Sequence, residues 1–230
     1  MTARISVIIP ALNEAEAIAS VVSAFRQPFV HECIVVDNGS TDATALHARE
    51  AGARVISEPR RGYGQACAAG VAAVDPDSDI LIFVDGDGSD VADDLPKIAE
   101  PIRSGEYDFV IGSRIRGERE PGSLLASQIV AGWMAGVLLR LRYGVRYTDM
   151  GPFRAISRVA FSSLEMSEMT YGWNLEMQMR AASLRLRIHE VPVGYRRRQG
   201  GTSKVSGSIQ GSLKAAIRIA RVFFRISFLL

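Results

Sequence analysis

Residues 79–90 read DILIFVDGDGSD. An unbroken apolar run empties into Asp85, Asp87 and Asp90, with Gly86 and Gly88 between them. A strand with no polar alternation is buried on both faces, the habit of a parallel sheet covered by helices. Carboxylates this close repel one another unless a positive or hydrogen-bond-donating group sits among them. The glycines let the backbone turn sharply and keep side-chain bulk away from an arriving ligand. A solvated acidic turn is the competing reading of a lone D-x-D, and the neighbouring sequence has to decide.

Outward from this stretch the pattern repeats. RISVII (4–9), HECIVVD (31–37), ARVIS (53–57), DILIFVD (79–85) and YDFVIGS (107–113) read as strands. Helices are predicted between them at 14–26, 42–51, 64–74 and 94–104. Asn13 with Glu16 predicts a capping box for the first helix, and Asn38 through Asp42 predicts a turn and cap for the second. This alternation predicts an α/β fold: a mostly parallel central sheet with helices on both faces. Ligands of such sheets bind at the carboxyl ends of the strands. Those ends carry Pro10–Glu14, Asp37–Ser40 and Asp85–Ser89, three polar clusters along one edge. One cluster is a turn; three are a site.

Composition sets the bounds. At 230 residues, with 47% hydrophobic and 23% charged residues, the chain is an ordinary globular protein with one good-sized core. A net charge of +2 makes no case for nucleic acid. Cys33 and Cys67 lie in apolar contexts and read as buried, reduced thiols of a cytosolic protein. The first apolar run stops at Pro10, too short for a signal peptide. Residues 124–139 carry no charge and end at Arg140-Leu141-Arg142. The run falls short of the ~20 residues a membrane span needs. A buried core helix is expected, although Gln128, Trp133 and the arginines also suit a membrane interface.

Six motifs in order, IPALNE, VVDNGSTD, FVDGD, GSR, GPFRAISR and EVPVGYRRRQGGTSK, resemble the family 2 glycosyltransferases of GT-A fold. Within that family the likeness is to the polyprenyl-phosphate (dolichyl-phosphate) mannosyl- and glucosyltransferases. It spans roughly residues 4–206. It implies a catalytic domain over 1–206, with a nucleotide-sugar-binding half (1–115) and an acceptor-binding half (116–206). The implied reaction is inverting and metal-dependent, moving a hexose from UDP-glucose or GDP-mannose to a lipid, with polyprenyl phosphate among the candidates. The implied location is the cytoplasmic face of a membrane. Asp85, Asp87 and Ser89 would serve Mg²⁺ or Mn²⁺, because these ions favour oxygen ligands and share them with phosphates. Asp37 would bind the base, and Pro10, Ala11, Glu14 and Gly86 would frame the donor. Arg198 and Lys204, in R-x-x-G-x-S-K, would close over the diphosphate. Asp90 is read as a helix-side or solvated acid.

On the acceptor side, Ser113 and Arg114 match the element that faces the lipid phosphate in those relatives. Relatives add a second arginine on the next helix; Gln128 through Gly132 supply none. Two acceptors therefore stay open. An ionised lipid phosphate needs no base, whereas a hydroxyl does. Glu176 is the first candidate base and Asp149 the second.

The stretch GSLKAAIRIARVFFRISFLL (211–230) places Lys214, Arg218, Arg221 and Arg225 on one helical stripe. An amphipathic membrane-interface helix over 207–230 is expected; docking on the catalytic domain is the alternative. Two other functions compete. Gly62-Tyr63-Gly64 imitates the start of a dinucleotide-binding fingerprint, but it follows the third strand, not the first. A non-catalytic nucleotide-sugar-binding adaptor would not need the Asp85/Asp87 pair.

Overall fold

β1 (Ile5–Ala11) is buried at every position, and its side chains divide by parity. Ile5, Val7 and Ile9 join one hydrophobic cluster and Ile8 the other. It is therefore an interior strand with helices on both faces. The computed structural model describes residues 3–200 and 220–227. The other strands are β2 (Glu32–Asp37), β3 (Arg54–Ser57), β4 (Ile80–Phe83), β5 (Phe109–Ser113), β6 (Arg154–Ser157) and β7 (Ile188–Pro192). They form a seven-stranded sheet in the order β3-β2-β1-β4-β6-β5-β7. β6 pairs antiparallel with β4 and β5, and the other pairings are parallel. The sheet is the mostly parallel one that the strand pattern predicts.

β6 was not legible as a strand. It is four residues long and opens with a charged residue, Arg154. That guanidinium is fully buried, and it donates to the carbonyls of Gly151 and, at 3.1 Å, Asn174. Backbone acceptors solvate the cation where no carboxylate does, and burial still pulls its pKa down to about 10. Through β6 and β7, residues beyond 115 complete the sheet begun by the first half.

The helices are α1 (Ile18–Phe25), α2 (Thr44–Glu50), α3 (Tyr63–Ala73), α4 (Leu95–Arg103), α5 (Ala126–Tyr143), α6 (Arg158–Ser163), α7 (Trp173–Ser183) and α8 (220–227). α1 and α4 pack on one face of the sheet, and α3, α5, α7 and α8 on the other. The expected capping box does not form. α1 begins only at Ile18, and Asn13, at φ +53°, accepts the Thr41 N–H (2.8 Å) and so ties the first loop to the second.

One further expectation is corrected, and a second is answered only over its described residues. α5 is buried only through Gly132, Ala135, Gly136 and Leu139; its other face is open to solvent. In α8, Val222, Phe223 and Ile226 are buried in the core beside α7. Arg225 donates to Glu168 Oε2 at 2.7 Å. The described part of the predicted membrane helix is thus docked on the catalytic domain through Val222, Phe223 and Ile226, while Phe224 stays exposed. Lys214 and Arg218 lie outside the described residues.

Candidate active site

The chain leaves β1 toward β2 and β3, then returns to β4 on the other side of β1. The crevice at this reversal is where an open α/β sheet binds ligands. Here it is a cleft of about 930 Å³. Pro10, Ala11 and Glu14 enter it from the end of β1, and Asp85, Gly86, Asp87 and Ser89 from the end of β4. Arg114, Asp149 and Arg198 reach it from the second half of the chain.

The acidic loop is built around its own hydrogen bonds. Asp87 Oδ1 accepts from the Ser89 N–H (3.0 Å) and Oγ–H (2.5 Å). Asp90 Oδ2 accepts the Asp85 N–H at 3.0 Å, while its Oδ1 is buried with no partner among the described residues. Asp90 is therefore a buried acid, and of its two expected readings, helix-side or solvated, the solvated one fails. Burial, reinforced by the Asp87 charge, pushes its carboxyl up to about 7. Burial, then the charges of Asp87 and Asp90, pushes Asp85 well above the carboxylate range. Three crowded acids and an orphaned carboxylate oxygen suit a divalent cation, which would relieve their repulsion. The donors are all oxygen, as Mg²⁺ and Mn²⁺ prefer. Among the described residues no group of three or more acidic, His or Cys side chains could hold a metal by itself. A ligand's phosphates would have to complete the coordination shell.

Residues 195–199 are strapped to this loop. The Arg196 N–H donates to the Ser89 carbonyl (2.8 Å) and the Gln199 N–H to the Asp87 carbonyl (2.9 Å). Gly88 sits at φ +79°, and a Cβ there would come within 2.8 Å of the Gln199 side chain. Arg198 Nη2 binds both Glu14 oxygens, at 2.9 and 3.1 Å, and lies 3.7 Å from Asp87 Oδ2. The basic segment, as far as it is described, is an integral wall of the cleft. Lys204 lies outside the described residues.

Toward α5, Arg114 grips Asp149 with two parallel bonds and stacks 4.9 Å from the Tyr195 ring centre. Burial alone would raise the Asp149 pKa, but the Arg114 bonds and charge outweigh it and hold it below its ordinary value. Tyr195 was missed by the sequence reading, although it stands in the quoted VGYRRR segment beside the more conspicuous arginines.

Three predicted site residues are not brought into the cleft. Glu176 is fully buried on α7, where it accepts from Ser167 N–H (3.0 Å), Ser167 Oγ–H (2.7 Å), Glu168 N–H (2.6 Å) and Arg180 Nε–H (2.9 Å). Both of its oxygens are engaged by these four donors. Ser113 is buried, with its Oγ bonded to Thr148 Oγ1 at 2.7 Å. Asp37 turns back to accept the Ser40 N–H (3.0 Å), and its neighbour Asn38 lines the cleft instead. Gly62 and Gly64 are explained by packing. A Cβ at either would come within 2.3 Å of a carbonyl oxygen in the Glu168–Met169 segment.

A mostly parallel sheet with paired carboxylates at its switch point and a basic return segment defines a GT-A nucleotide-sugar transferase. The chain belongs to glycosyl transferase family 2, whose profile matches residues 6–164. It is 39% identical to an uncharacterised glycosyltransferase of Mycobacterium tuberculosis, over 95% of this chain and 97% of that one. It is 30% identical to the undecaprenyl-phosphate mannosyltransferase of Micrococcus luteus, over 95% and 93%. With the dolichyl-phosphate hexose transferase of Haloferax volcanii the identity is 34%, over 86% and 85%. Its fold is similar to that of glucosyl-3-phosphoglycerate synthase from Mycobacterium tuberculosis in complex with Mn²⁺, UDP-glucose and phosphoglyceric acid. That comparison has a TM-score of 0.79 at 26% identity, covering 98% of this chain and 80% of that one. The protein is a glycosyltransferase, and the oxidoreductase and adaptor alternatives fall away.

Proposed function

We propose that the enzyme transfers a hexose, with inversion, from UDP-glucose or GDP-mannose to a polyprenyl phosphate at the cytoplasmic face of a membrane. One observation carries the choice of acceptor: neither candidate base is poised to take a proton. Glu176 is outside the cleft and saturated, and Asp149 is held ionised by Arg114 with both oxygens engaged. A phosphate oxygen is already anionic and needs no base, whereas a hydroxyl acceptor would. Arg114 Nη1, with no hydrogen-bond partner among the described residues, is left to meet that anion. Asp85 and Asp87 would hold Mg²⁺ or Mn²⁺, which supplies Lewis-acid stabilisation of the diphosphate leaving group. Ser89 fixes the Asp87 carboxylate, Arg198 holds Glu14 beside it, and the base would lie against Pro10, Ala11 and Asn38.

The names of the Micrococcus and Haloferax relatives support the lipid-phosphate reading. The fold shared with a phosphoglycerate-binding synthase favours a second one, a soluble phosphorylated acceptor. The test presents each nucleotide sugar, with Mn²⁺, to undecaprenyl phosphate, to undecaprenol and to phosphoglycerate. Sugar should appear on the lipid phosphate alone, in the anomeric configuration opposite to the donor's. Equal transfer to the alcohol would overturn the reading.

A further inference from the structure

Among the described residues, more than half of the large apolar side chains that stand in solvent lie on α5 or at its start. Val130, Trp133, Met134, Val137 and Leu141 recur at three- and four-residue spacings and form one stripe. Trp133 is 66% exposed and Leu141 80%. The opposite face of the same helix is buried, and its first turns border the cleft at Leu125 and Gln128. An apolar stripe of this size marks a surface that meets something.

Charge constrains what it meets. α5 contains no acid, and Arg140 and Arg142 in its last turn, followed by Arg146, are exposed at one end of the stripe. An apolar strip with an exposed tryptophan along it and guanidiniums at its edge complements an anionic bilayer surface. The apolar groups enter the acyl boundary and the arginines meet lipid phosphates. Spanning is not an option, since among the described residues no helix is long and apolar enough to cross a membrane.

We propose that the outward face of α5 is the surface by which the enzyme lies on an anionic bilayer, with its cleft opening at headgroup level. The inference rests on the lipid-phosphate reading and deepens it: an amphiphilic acceptor then reaches Arg114 without leaving the membrane. Of the expected C-terminal stripe, the described part is packed on the core through Val222, Phe223 and Ile226.

Trp133 and the buried Trp173 are the two tryptophans of the chain, so solvent-exposed emission reports on α5. The full chain is mixed with vesicles of equal parts phosphatidylcholine and phosphatidylglycerol, or of phosphatidylcholine alone. The anionic vesicles should blue-shift the emission and carry the protein into the pellet. Reversal of Arg140, Arg142 and Arg146 to Glu should weaken binding by on the order of 100-fold or more. Met134→Gln with Leu141→Gln should also release the protein. Both variants should retain turnover on a short-chain, water-soluble polyprenyl phosphate and lose it on vesicle-embedded acceptor. No emission change with anionic vesicles overturns the docking face. So does a dimer in solution that Leu141→Gln dissociates, which would assign the stripe to a second copy. Vesicle binding without turnover on any phosphate acceptor would instead sink the acceptor reading and leave the docking face standing.

Discussion

Arg114 and Asp149 face each other through two parallel hydrogen bonds, Nε to Oδ2 at 2.7 Å and Nη2 to Oδ1 at 2.8 Å. Both side chains are largely buried, at 12% and 5% exposure. The pair joins the end of β5 to the loop before β6, and it fixes the orientation of a guanidinium that lines the cleft.

Removing one member of such a pair strands the other charge. Asp149→Asn is expected to lose about 3–5 kcal/mol of stability in urea titration, and activity with it. The folded pKa of Asp149 lies below its unfolded value. Its contribution is therefore complete above the unfolded carboxyl value of about 3.9 and lost as pH falls through the lower folded value. The gap between wild type and variant should close in that acid range. A gap constant down to full acid unfolding would contradict the ion pair.

Glu176→Gln separates structure from catalysis. The amide cannot accept all four bonds that the carboxylate accepts, so about 1–3 kcal/mol of stability should go. Turnover per folded molecule should stay near wild type. A large fall in kcat with an unchanged melting temperature would restore Glu176 as a base.

Asp87→Asn should abolish both transfer and the metal-dependent part of donor binding. Ligand at 100 times its Kd stabilises the native state by about 2.7 kcal/mol, so the donor with Mn²⁺ should raise the wild-type melting temperature visibly. Chelation should remove that rise, and the variant should show none. A variant that still gained metal-dependent stabilisation would move the site elsewhere.

Arg198→Ala removes the cation beside Glu14 and Asp87, where the proposed reading puts the departing diphosphate. A loss of about 10²–10³ in kcat is expected, with a smaller change in donor affinity. Kinetics within twofold of wild type would make the Arg198–Glu14 pair a structural clasp only.

Two glycines make a controlled comparison. Gly88 and Gly105 both lie at positive φ, but only Gly88 has a neighbour within 4 Å of an added Cβ. Alanine at either should cost roughly 1 kcal/mol of backbone strain. Only Gly88→Ala should also impair donor binding, through the clash with Gln199. Equal activity in both variants would deny the strapping of residues 195–199 a role.

The chain order by itself determined the interior strands, the helices between them and the edge on which Pro10–Glu14 and Asp85–Ser89 meet. Burial on both faces forces uninterrupted apolar runs, and polar clusters at their ends are local text. β6 escaped because an antiparallel strand of four residues opening on Arg154 carries no such period. Tertiary structure alone decided which acids face the cleft. Glu176 and Asp149 look alike as sequence, and donors from Ser167, Glu168 and Arg180 saturate one while Arg114 turns the other into half of an ion pair. It also decided that Val222, Phe223 and Ile226 are covered while Trp133 and Leu141 are not. Periodicity says which residues share a face, but only packing says whether another element arrives to cover it.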